Sequence, residues 1–141
     1  MNISRAATLL GTAGLIPFWA FALAAHLWPN IDLAYRAVEA EIIWGSVILS
    51  FMAGARWAMI LKADGSKLRL SAFALMSLPA LVAPFFAHKL ALGLLAIAFF
   101  ALLVAELSIV ARAESPAWYL SLRVTLSVGA LGALAFTALA I

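Results

Sequence analysis

The sequence predicts an all-α integral membrane bundle of five transmembrane helices, N-terminus inside and C-terminus outside. Three observations carry that expectation. Of 141 residues, 67% are hydrophobic and only 11% charged, with a mean hydropathy of +1.14. A soluble domain needs about a quarter charged residues to coat its surface, so this chain's solvent is lipid. The apolar residues gather into five runs, each close to the ~20 residues that carry a helix across a ~30 Å hydrocarbon core. The runs lack the alternation of barrel strands, and isolated strands leave backbone groups unsatisfied in lipid. Residues 1–141 therefore read as a single five-helix transmembrane domain, with no separate aqueous domain.

The spans fall at roughly 6–28, 41–61, 70–87, 90–111 and 117–141. Arg5 and the "ALAA" of Ala22–Ala25 invite a signal-peptide reading of the first. Its apolar run is too long for that and contains Pro17, so a retained helix is expected. "WPN" (Trp28–Asn30) ends it. The second span follows an outer segment, Pro29–Glu41, whose Glu39 and Glu41 would meet the positive end of the helix. "KADGSKLR" (Lys62–Arg69) supplies a turn before the third, and His88–Lys89 a minimal break before the fourth. Ser115 and Pro116 suit the start of the fifth. Pro17, Pro79 and Pro84 fall inside spans, where neighbours must satisfy the freed carbonyls. Such breaks are plain kinks or, less often, line a transport site.

Orientation follows from the loops. Arg5, Lys62, Lys67, Arg69 and Arg112 fall on the N-terminal side, Arg36 and Lys89 on the other. That imbalance places the N-terminus inside. The same residues are scattered between apolar runs, which argues against nucleic acid as a partner; the expected partners are the bilayer and other membrane proteins or a second copy. Trp28, Tyr35 and Trp44 flank the outer boundary, and Trp57, Trp118 and Tyr119 the inner one.

Three charges remain inside the spans: Arg56, Glu106 and Arg123. Counted from the inner helix ends, all three lie roughly 9–10 Å deep. An unpaired charge there costs about 2.5–3.5 kcal/mol on insertion scales, so Glu106 is expected to be shared between the two arginines. The layer is either a structural clamp, with arginines free to snorkel, or a functional charge site. One positive charge is left over, for a headgroup, a water pocket, a backbone carbonyl or an anionic ligand. Small residues recur every fourth position at Ser46, Ser50, Gly54 and Ala58, and again at Ser121, Thr125, Gly129 and Ala133. Such ridges let membrane helices approach closely, and each arginine points away from its own ridge.

Several chemistries lack their residues. There is no cysteine, hence no disulfide or thiolate site. No phosphate-cradling glycine loop, Ser-His-acid set or zinc motif occurs. His26 and His88 lack the spacing of a haem or metal pair. No catalytic residue, metal or cofactor is expected.

With these residues in view, the chain resembles an uncharacterised domain-of-unknown-function family of small membrane proteins that includes transmembrane protein 69. The resemblance rests on "LGTAGLIPF" (Leu10–Phe18), "ILSFMAGARWAMIL" (Ile48–Leu61), "SLPALVA" (Ser77–Ala83) and "PAWYLSLRVTLS" (Pro116–Ser127), with an acidic residue at Glu106 before the last block. Where the family often has Gly-Gly this chain has Ala53-Gly54, and Ala58 stands where Gly is common. The family often has Asp at Glu106, and His or Arg at Arg56. The resemblance implies a multi-pass bacterial inner-membrane protein and brings no known reaction. The expected function is a non-enzymatic accessory or assembly component of a larger membrane complex. The alternative is a transporter or channel for a small ion or anionic solute, using the Arg-Glu-Arg layer. An enzyme of phospholipid headgroups comes third.

Overall fold

The computed structural model describes residues 2–141. These form eight α-helices and one 3-10 turn, with no strand among them. In chain order they are α1 (Ile3–Ala13), α2 (Leu15–Leu27), α3 (Ile31–Lys62), α4 (Lys67–Leu75), α5 (Leu78–Val82), the 3-10 turn Ala83–Phe85, α6 (His88–Glu106), α7 (Ile109–Ala113) and α8 (Ala117–Ala138). They combine into five stretches long and apolar enough to cross a membrane: Ile3–Leu27, Ile31–Lys62, Lys67–Phe85, His88–Glu106 and Ala117–Ala138. Large apolar side chains such as Phe51, Phe85 and Ile97 point outward, as a lipid-facing surface requires.

Local chemistry explains the ends. Asn2 caps α1, its side chain accepting from the Arg5 N–H, and Asn30 caps α3 through the N–H groups of Asp32 and Leu33. After α3 the chain turns at Asp64, which adopts φ 49°. A short acidic side chain tolerates that left-handed conformation, and the Gly65 N–H then closes onto the Ile60 carbonyl at 2.9 Å. A Cβ at Gly65 would lie 2.8 Å from Ile60 Cγ2, so the turn needs glycine there. Ser66 caps α4 by accepting from the Arg69 N–H.

Prolines break the spans. Pro17 has no N–H, so the Ala13 carbonyl loses its partner four residues on and the first span divides at Gly14. Trp44 Nε1 donates to the Gly14 carbonyl at 3.0 Å and braces that break from α3. Pro79 and Pro84 leave the third span as α4, α5 and a 3-10 turn.

Helices α2, α3, α6 and α8 close into a ring in which each packs on two neighbours. Phe18, Leu49, Met52, Leu95, Phe99 and Leu134 fill its middle, and Phe18 meets Phe99 edge to face at 6.0 Å. α1 leans on α8, and the broken third span lies outside the ring against α3.

Two boundaries differ from the sequence expectation. The segment Pro29–Glu41 is not a loop, because α3 already starts at Ile31. At 1.5 Å per residue its 32 residues span about 48 Å, well past a ~30 Å hydrocarbon core. Asn30 and Asp32 occupy the helix start, where capping and dipole favour them. Glu41 is consequently far from the helix terminus and fully buried, accepting a hydrogen bond from the Thr137 hydroxyl. Likewise α6 stops at Glu106, not near residue 111. Ser108 takes an extended conformation and caps α7 through the Ala111 N–H. Glu106 is thus the last residue of its helix.

The two small-residue ridges meet different surroundings. On α8, Ala133 is buried, and a Cβ at Gly129 would come within 2.7 Å of the Leu15 side chain on α2. Ser121 and Thr125 are exposed. On α3, Ser46 and Ser50 border a cleft shared with Ser77 and Leu81. Gly54 and Ala58 are exposed, and a Cβ at Gly54 would meet no neighbouring helix within 4 Å. Gly129→Val is therefore expected to lower stability by about 1–3 kcal/mol through overpacking. Gly54→Ala, with open space and a better helix former, is expected to change it by less than about 1 kcal/mol. Unfolding in detergent titrated with a denaturing surfactant compares the two, and equal losses would refute the assigned packing.

Candidate functional site

At the N-terminal-side end of the ring, four helices bring their polar groups together. Arg56 of α3 has no exposed surface, Glu106 ends α6 and is 1% exposed, and Arg123 of α8 is 4% exposed. Arg56 Nη2 donates to Glu106 Oε2, and Arg123 Nε lies 3.6 Å from Glu106 Oε1. The three residues expected to share one depth do converge, although Glu106 reaches the layer from a helix end.

Arg56 continues downward. Its Nη2 also donates to Ser115 Oγ at 2.9 Å, and its Nη1 to the Ala111 carbonyl at 3.3 Å. Nη1 lies 3.5 Å from Glu114 Oε2. The short α7 and the Glu114–Ser115 turn thus form a floor beneath the layer. Glu114 in turn accepts a two-pronged bond from Arg69 of α4, at 2.5 and 3.1 Å. That geometry suits the planar guanidinium fork.

Arg123 is held from two sides. Its Nε donates to the Tyr119 hydroxyl and its Nη2 to the Met52 carbonyl, both at 2.7 Å. Its guanidinium carbon stands 4.9 Å from the Tyr119 ring centre, with that of Arg56 at 5.7 Å. Stacking on an aromatic face offsets part of the cost of desolvating a guanidinium. Among the partners open at the sequence level, a backbone carbonyl is one that Arg123 meets.

Glu114 lies outside the spanning segments, and its hydrogen bonds from Arg69 hold its carboxyl below the ordinary range, against the opposing effect of burial. A depressed folded-state value means the pair's contribution is complete above the ordinary carboxylate range and disappears as pH falls through the lowered one. Acidification through that window is expected to lower the unfolding midpoint of the detergent-solubilised protein. Glu114→Gln should start lower at neutral pH and show a flatter dependence, and parallel curves would contradict the assignment.

Residues 3–139 match a family described as proteins of unknown function, DUF3429. The chain belongs to that family. No curated protein and no solved structure matches it. Membership covers nearly the whole of this DUF3429 chain and assigns it no reaction.

Arg69, Glu114, Ser115 and Tyr119 complete the layer and were not expected in the charge cluster, Ser115 reading as a helix start and Tyr119 as a boundary aromatic. Arg69 reads as a loop charge and Glu114 as part of a separator. The signal for Glu114 was its place two residues from Pro116, on the same side as Arg69. His26 and His88 make separate contacts. His26 Nε2 is 2.7 Å from the Phe136 carbonyl, with its ring stacked on Phe136. His88 Nε2 lies 3.5 Å from Glu39 Oε1, and its ring stacks on Tyr35.

Proposed function

We propose that this protein is a small non-enzymatic integral membrane component that supports or assembles with a larger membrane complex. The observation that carries the reading is the cross-linking of helices through the charged layer. Arg56, Arg69 and Arg123 each bond to carboxylate, carbonyl, hydroxyl or aromatic groups of the same chain. A layer tied together in this way works as a clamp between helices, and chemistry on a substrate would have to dismantle it. The outward-facing Gly54 and Ala58 add a surface on which another membrane helix can approach closely.

The reading places the chain in a bacterial inner membrane, as the family resemblance implies, with its N-terminus inside on the bias of Lys and Arg toward one side. The absence of native cysteine makes single-cysteine labelling at Ser4 and Ala140 a clean check of that orientation. The main experiment is gentle extraction of the tagged protein from its native membrane, then a native gel with mass spectrometry of whatever travels with it. Co-migration with one defined large assembly, lost in Gly54→Leu, is the expected result. Migration alone, in both proteins, would overturn the reading.

A second reading, transport of a small ion or anionic solute, is favoured by the broken third span and by Glu106 Oε1, buried without a hydrogen bond. It requires flux in liposomes holding only this chain, abolished by Glu106→Gln.

A further inference from the structure

Because α1 leans on α8 while α2 packs on α3, the first span and α3 stand apart on the N-terminal side of the Gly14 break. The result is a crevice of about 360 Å³ lined by α1, α2, α3 and α8. That volume falls within the ~300–1,000 Å³ typical of ligand clefts. Its walls are almost wholly apolar, among them Leu10, Phe18, Ile48 and Leu126. Two polar side chains interrupt them, Tyr119 and Arg123.

These are the residues at which the charged layer fails to balance. Three guanidinium groups, of Arg56, Arg69 and Arg123, face two carboxylates, of Glu106 and Glu114. The excess positive charge falls on the side of Arg123, since Arg69 and Glu114 pair with each other and Glu106 bonds to Arg56. Arg123 donates through Nε and Nη2, and Nη1 makes no hydrogen bond among the described residues. An apolar crevice with one under-neutralised guanidinium in its wall is complementary to an amphiphile with a long chain and a compact anionic head.

We propose that the crevice binds a long-chain carboxylate, with the carboxylate on Arg123 Nη1 beside the Tyr119 hydroxyl and the hydrocarbon chain along Phe18, Ile48 and Leu126. Depth favours a carboxylate over a phospholipid phosphate. Arg123 is six residues into α8, about 9 Å from the helix start. A diacyl phosphate headgroup would have to leave the interface to reach it. A fatty-acid carboxylate is small enough to sink to that level and pair with a guanidinium in low dielectric.

The test uses the purified, delipidated full chain in a non-ionic detergent at alkaline pH, with oleate, methyl oleate and phosphatidylglycerol as probes. Binding is read by native mass spectrometry and by displacement of a spin-labelled stearate. Oleate is expected to bind one per chain, and methyl oleate about tenfold more weakly for loss of the charge-assisted bond. Ala55→Phe fills the crevice while leaving every charged residue in place, and should abolish oleate binding while the protein stays folded. Arg123→Gln should remove the preference for oleate over its ester; if that variant misfolds, Ala55→Phe and the ester decide alone. Equal affinity for oleate and methyl oleate, binding of phosphatidylglycerol in preference to oleate, or oleate binding that survives Ala55→Phe would each overturn the proposal.

Discussion

Glu106→Gln is expected to destabilise the folded protein by about 3–5 kcal/mol, the cost of breaking a buried ion pair from one side. The reason lies in what remains. Arg56, fully buried, loses its Glu106 partner, and its Nε already makes no hydrogen bond among the described residues. Arg123 simultaneously loses the carboxylate 3.6 Å from its Nε. Of these two guanidinium groups only Arg56 then keeps a carboxylate nearby, Glu114 at 3.5 Å, which Arg69 already holds. Because native stability is typically about 5–15 kcal/mol, a loss of this size shows directly as a lower yield of folded protein in membranes. Adding Arg56→Gln removes one of the stranded charges and should recover part of the loss. The recovery stays partial, since Arg56 also ties down Ala111 and Ser115. A double variant no better than Glu106→Gln alone would show that the two residues are not energetically coupled. Unchanged yield in both single variants would eliminate the clamp itself.

Phe99→Ala is expected to cost a similar ~3–5 kcal/mol, for a different reason. Phe99 is fully buried at the centre of the ring, edge-on to Phe18. In a bilayer there is little gain from moving an apolar side chain between lipid and protein, so the loss is one of packing. The cavity left between α2 and α6 is sealed from lipid by Leu95 and Leu102, both without exposed surface, and acyl chains cannot enter to replace the ring's contacts. Ile97, two residues away on the same helix and 70% exposed, is the control. Ile97→Ala removes contacts to lipid alone and should lie within about 0.5 kcal/mol of the parent. Comparable losses at both positions would mean that α6 does not present Phe99 inward.

The sequence by itself determined the class of the molecule and the number of its spans. Hydropathy adds up along the chain, so runs such as His88–Glu106 are legible without knowledge of any neighbour. It also marked Arg56, Glu106 and Arg123, because a charge in an apolar run is costly wherever the helix lies. The break at Pro17 followed from one missing N–H. What the sequence placed wrongly were ends. The amphipathic start of α3 reads as loop because its charges mask the buried face of Ala37, Val38 and Glu41, and the end of α6 reads as helix because Ser108 sits among apolar residues.

Only the tertiary structure decided which groups meet. Arg56 and Glu106 are 50 residues apart, and Arg123 and Met52 are 71 apart; contact at such separations depends on how the helices pack. The pairing of Arg69 with Glu114, the floor made by α7, the buried bond between Glu41 and Thr137 and the crevice beside Arg123 all arise from the ring of α2, α3, α6 and α8 and from the break between α1 and α2 at Gly14. The physical reason is that solvent preference is set residue by residue, whereas charge balance and cavity shape are set by what each residue faces.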